Sequence, residues 1–139
     1  MERMLNLILV PIDGSKTSHN AIDYAAKLAK SSDAHIHLLN VIDFGRGGGA
    51  VDPSDRDIRE NRARYILEEA VSITKKYNIS VSKEIASGSV PETILSVANE
   101  KDFDLIVMGT RGMSGYNNPM LGHVSEKVAQ GSKCPVVLV

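Results

Sequence analysis

Apolar residues along this chain come in two rhythms. Short, nearly unbroken runs occur at residues 5–12 (LNLILVPI), 35–42 (HIHLLNVI), 104–109 (DLIVMG) and 135–139 (PVVLV), with the length and β-branched content of strands. A fifth run, ISVSKEIA at residues 79–86, alternates polar and apolar positions and reads as a strand with one wetter face. Between these runs the period changes. Ala21, Ile22, Ala25, Leu28 and Ala29 recur at helical spacing, as do Ala63, Ile66, Leu67, Ala70, Ile73 and Tyr77 in a longer stretch. Ile94, Leu95, Val97 and Ala98 mark a third helix, and VSEKVAQ, from Val124, opens a fourth. Ser54 is the expected cap of the second helix, with Asp55 and Asp57 at its positive end. Ser89-Val90-Pro91-Glu92 matches a capping box with proline in the first turn, where no amide partner is lost.

Strand alternating with helix predicts an α/β fold: one Rossmann-like domain over residues 1–139, with a parallel open sheet and helices on both faces. Strands one and four are almost wholly apolar, so both of their faces should be covered, as in central strands. The alternating third strand belongs nearer an edge. These placements give the order 3-2-1-4-5, which reverses between strands one and four. Ligands of open α/β sheets bind at such a switch point, beyond the carboxyl ends of the strands. Those ends are Pro11-Ile12-Asp13-Gly14 and Met108-Gly109.

Composition narrows the class. A length of 139 residues suffices for a core without staples, and the formal net charge of −1 argues against a nucleic-acid binder. Tryptophan is absent and aromatics are few, so stacking platforms for single strands are not expected. One cysteine excludes an internal disulfide and suits a reducing compartment. The apolar start before Asp13 is too short for a signal h-region or a bilayer span, so the expectation is a cytoplasmic protein with no membrane partner.

The chemistry gathers after the fourth strand, in GTRGMSGYNNPMLGHVSEK. Gly109, Gly112 and Gly122 flank a strand-to-helix connection. Glycines let phosphate oxygens approach the main chain, and the free amides around His123, Val124 and Ser125 add donors and a favourable dipole. No Walker lysine is present, and Arg111 reads equally as a phosphate contact or a solvated charge. GRGGGA, from Gly45, formally satisfies a dinucleotide fingerprint, but it follows the second strand and opens no helix, so it reads as a loop. His35 and His37 share one strand face, which permits a metal pair geometrically. No third ligand is apparent, and packing is the better reading. Cys134 reads as an inert thiol.

ILVPIDGS, AIDYAAKLAK, HLLNVID, GSVPETIL, DLIVMGTRGMSG and LGHVSEKVAQGSKCPVVLV together resemble the universal stress protein family over the whole chain. The nucleotide-binding branch of that family carries G-x2-G-x9-G followed by serine or threonine; here the glycines are in register and His123 replaces the hydroxyl residue. The resemblance implies that Pro11, Ile12, Asp13 and Val41 enclose adenine and ribose. It implies that Met108, Gly109 and Gly112 pass under the ribose and α-phosphate, and that Gly122, His123, Val124 and Ser125 cradle the outer phosphates, with Arg111 an added candidate for the nucleotide site. ATP, AMP or another adenine nucleotide is the implied ligand, with magnesium held through the phosphates and no protein metal site. It further implies a homodimer through residues 135–139 and a protein partner that the residues do not identify. The expected function is a stress-response or regulatory module that signals by conformation or dimer surface. A slow ATPase or phosphotransferase using His123 and Arg111, with no catalytic base otherwise visible, is the alternative. A nucleotide-independent scaffold is the third reading, if His123 blocks the phosphate site.

Overall fold

Ile8, Leu9 and Val10 are each fully shielded from solvent, so successive side chains of the first strand are covered on both faces of a sheet. In the computed structural model, which describes residues 5–45, 52–110 and 123–139, that strand is β1 (Leu7–Pro11). It is followed by α1 (Lys16–Ser32), β2 (His35–Ile42), α2 (Pro53–Thr74) with a 3₁₀ turn at Lys75–Tyr77, and β3 (Ser80–Ser87). Then come α3 (Val90–Glu100), β4 (Leu105–Met108), α4 (His123–Gly131) and β5 (Val136–Leu138). All pairings are parallel and the sheet order is β3-β2-β1-β4-β5, as expected.

The two sheet faces build separate cores. Ile8, Val10, Ile36, Leu38, Leu105 and Val107 pack with the apolar stripes of α1 and α2. Leu9, Leu39, Ile106 and Met108 pack with Ile94 and Val97 of α3 and Val128 of α4. β3 lies at the edge and shows alternating exposure, which accounts for its mixed sequence.

Local chemistry departs from expectation at two caps. Asp52, not Ser54, caps α2: its carboxylate accepts from the Ser54 amide at 2.9 Å and the Ser54 hydroxyl at 2.8 Å. Pro53 takes the first helical position, where its missing amide costs nothing, and this moves the cap two residues upstream. Ser89 does precede α3, but its hydroxyl donates to the Glu92 carboxylate rather than accepting a helix amide. The stripe ending at Tyr77 runs past the end of α2 into the 3₁₀ turn, where the Tyr77 hydroxyl donates to Asp23 of α1.

Candidate functional site

β1 has β2 on one side and β4 on the other, so chain connections leave its carboxyl end in opposite directions and open a crevice there. The β1–α1 turn forms one wall. Pro11 and Ile12 are buried, and the Ile12 amide extends the β1–β2 ladder by donating to Leu39 O at 2.8 Å. The buried Asn40 side chain donates to Ile12 O at 2.8 Å and fixes where the backbone leaves the sheet. Gly14 follows with φ of 85°, a turn that a side chain would strain.

Asp13 then stands exposed at the rim, and its orientation is determined locally. Its Oδ1 accepts from the Ser15 amide at 2.9 Å, and its own amide donates to Ser18 Oγ at 3.2 Å. Ser15 caps α1 by accepting from the Ser18 amide at 3.2 Å. Asp13 is therefore a preset carboxylate above the first turn of a helix.

The opposite wall is the end of β4. Met108 is buried; Gly109 and Thr110 are half-buried. A Cβ on Gly109 would lie 2.5 Å from Thr17 Oγ1, 2.9 Å from Thr17 C and 3.0 Å from Ser18 N. This glycine is required first by the close approach of β4 to α1. The Thr110 amide donates to Val139 O at 3.0 Å, and the Val139 amide to Met108 O at 2.9 Å, tying β5 to the same rim.

α4 begins at His123, which is exposed. Val124 packs against the core shared by α3 and α4. Ser125 is buried, and its hydroxyl donates to Thr110 O at 3.4 Å, joining α4 to the β4 exit. Near the start of α4, the Ser89 hydroxyl, the Glu92 backbone and the nearby Lys127 and His123 charges hold the Glu92 carboxyl below the usual carboxylate range. Val41 lies on β2, half-buried on the α3 side of the sheet.

The structure thus brings Pro11, Ile12, Asp13, Met108 and Gly109 to the carboxyl ends of β1 and β4. Arg111, Gly112 and Gly122 lie outside the described residues. Asn40, Thr17, Ser18 and Thr110 escaped sequence reasoning. An asparagine inside the apolar run HIHLLNVI was the available signal for the first; the others needed the packing of β4 on α1. Among the described residues no three His, Cys, Asp or Glu side chains converge in a metal-binding arrangement, and no helix is long and apolar enough to cross a membrane.

Comparison with known proteins matches residues 4–139 to the model of the Universal stress protein family. Universal stress protein YxiE of Bacillus subtilis is 37% identical, with the alignment covering 98% of this chain and 99% of that protein. Universal stress protein MJ0531 of Methanocaldococcus jannaschii is 30% identical, over 99% of this chain and 84% of that protein. Among solved structures, UspA from Lactobacillus plantarum superposes with a TM-score of 0.86 at 22% identity, covering 100% of this chain and 99% of the other. A universal stress protein solved in complex with cAMP superposes with a TM-score of 0.78 at 24% identity, covering 96% of each chain. One from Arabidopsis thaliana, with AMP bound, gives 0.72 at 21% identity, over 96% of this chain and 90% of that one.

Proposed function

The chain belongs to the universal stress protein family, and from that premise we propose that it binds an adenine nucleotide, ATP foremost, in the crevice between the ends of β1 and β4. The observation that carries this reading is Asp13. It is an exposed carboxylate held in one orientation by the Ser15 amide, at the rim of an otherwise buried strand end. A carboxylate so placed accepts hydrogen bonds from vicinal ribose hydroxyls, the role of the acidic residue in other nucleotide folds. Pro11, Ile12 and Val41 offer apolar surface for the base. Met108 and Gly109 form the floor, and the first amides of α4, at His123, Val124 and Ser125, face the side where phosphates would lie. Gly112, Arg111 and Gly122 complete the phosphate cradle in this reading. The cAMP and AMP complexes of proteins with this fold support an adenine ligand.

Magnesium would take its ligands from phosphate oxygens and water, because the described side chains offer no carboxylate set for it. The output is conformational: bound nucleotide alters the surface presented to a partner, with β5 as the edge available to a second copy in a cytoplasmic dimer.

The test has two arms. Nucleotide released by denaturing freshly purified protein is identified, and ATP, AMP and GTP are titrated calorimetrically into stripped protein with magnesium. Adenine nucleotides should bind, and Asp13→Ala should weaken ATP and AMP alike by about tenfold, the loss of roughly 1.4 kcal/mol of charge-assisted hydrogen bonding. No adenine-nucleotide affinity in the stripped wild type would overturn the proposal.

A further inference from the structure

At the opposite, amino-terminal end of the sheet, five side chains form a continuous hydrogen-bonded chain across β2 and β3. Ser80 Oγ lies 2.6 Å from His35 Nδ1, and His35 Nε2 lies 2.7 Å from Ser82 Oγ. Ser82 Oγ lies 2.6 Å from His37 Nδ1, and His37 Nε2 lies 2.7 Å from Glu84 Oε1. The parallel register creates this ladder, since it sets His35 beside Ser80, His37 beside Ser82 and Leu39 beside Glu84. One sheet face therefore carries a zigzag of alternating imidazoles and oxygens.

Proton counting gives the ladder a defined capacity. An ionised Glu84 only accepts, so His37 donates from Nε2. With both rings neutral, Ser82 donates to His37 Nδ1, His35 Nε2 donates to Ser82, and Ser80 donates to His35 Nδ1. Every bond is made and all run toward Glu84. One added proton, placed on His37 beside Glu84, reverses the rest. His37 Nδ1 donates to Ser82, Ser82 donates to His35 Nε2, and His35 Nδ1 donates to Ser80. Every bond is again made. A second proton, on His35, leaves Ser82 Oγ receiving N–H groups from two cations, with its own hydrogen directed at no acceptor in the chain.

The surroundings supply little relief for two charges. The facing positions of β1, Leu7 and Leu9, are apolar. From the end of α3 comes Lys101, a further cation, whose Nζ lies 3.3 Å from Glu84 Oε1. The Phe103 ring stands beside His37, centroids 5.7 Å apart. Asp104 commits one carboxylate oxygen to the amides of Asn6 and Leu7, and Asp102 lies in the turn before Phe103. Glu84 is the one acid bonded to the ladder among the described residues.

We propose that the chain Ser80–His35–Ser82–His37–Glu84 is a proton-operated latch, which holds the edge strand β3 to the sheet with no added proton or one and releases it with two. Beyond the latch, β3 is held by its backbone ladder to β2 alone among strands, since among the described residues no strand pairs with its other edge. Burial and the neighbouring His37 charge push the His35 imidazole below its usual range, in keeping with a second proton that enters reluctantly.

Nitrogen-detected NMR of the imidazoles in the full chain, combined with amide hydrogen exchange, tests this between about pH 8 and pH 5. At the upper end both rings should be Nε2–H tautomers, and His35 should switch to Nδ1–H as His37 gains charge. Protection of residues 80–87, taken relative to residues 8–10 of β1, should fall by about tenfold as the second proton enters and the edge strand opens locally. In His35→Gln that ratio should stay constant. In Ser82→Ala the tautomer switch should vanish. Independent titration of the two rings in the wild type, with no tautomer change, would overturn the latch. So would a β3 to β1 ratio that follows pH equally in His35→Gln.

Discussion

Two positions in the crevice show how a single residue can serve packing and ligand at once. Gly109 reads from sequence as a glycine that admits phosphate. Its nearest demand is α1, where the Thr17 hydroxyl and the backbone of Thr17 and Ser18 leave no room for a methyl group. Gly109→Ala should therefore destabilise the fold by about 1–3 kcal/mol, the usual cost of overpacking, measured by urea denaturation of nucleotide-free protein. Wild-type stability in that variant would mean that β4 and α1 separate easily. His123 poses the complementary question. It is exposed at the start of α4 and belongs to the charges around Glu92. Replacing it by serine adds a compact donor where the outer phosphates are proposed to lie. His123→Ser should tighten ATP by about fivefold, one ordinary hydrogen bond, and leave AMP unchanged. Equal changes for both ligands would place the side chain away from the terminal phosphates.

Element boundaries follow hydrogen-bond accounting more closely than they follow composition. β2 was legible as an unbroken apolar run covered on both faces, and the stripe of α1 because one-sided burial imposes a helical period. Caps were less so. Several residues near the start of α2 are able to cap it, and Asp52 wins because Pro53 is best accommodated in the first helical position. The two bonds from Ser54 hold the Asp52 carboxyl below its usual value, so its contribution is present above that value and fades as acid protonates it. Asp52→Ala should lower helical circular dichroism and the melting temperature, whereas Ser54→Ala, which keeps the backbone bond, should have a smaller effect. The reverse ranking would return the cap to Ser54.

For the molecule as a whole, the shifted groups predict a two-stage response to acid. His35 has a lowered folded-state pKa, so the unfolded chain binds its proton first and stability falls as pH drops below about 6.5. Glu84 and Asp23 are held low, mainly by hydrogen bonds from His37 and Tyr77 respectively, so what they contribute is lost only below about pH 4.5. Urea midpoints recorded against pH should be flat near neutrality, decline gently from about pH 6.5, then fall steeply below about pH 4.5. In His35→Gln the gentle stage should disappear and the steep one remain. A single acid transition in the wild type would contradict the assignment.

The sequence by itself determined the alternation of strand and helix, the central placing of the two fully apolar strands and the edge placing of the alternating one. It also determined the family, since the glycine spacing and the flanking runs stand in register along the whole chain. These are periodic or linear properties, and burial writes them directly into residue order. Tertiary structure alone decided what Gly109 packs against, that Asn40 braces the Ile12 carbonyl, and that Ser125 joins α4 to Thr110. It also turned His35 and His37 from a doubtful metal pair into part of a ladder with Ser80, Ser82 and Glu84. Each of these joins positions that only the assembled sheet and its helices bring together. No local period encodes such a meeting; the register of neighbouring strands and the seating of helices on the sheet create it.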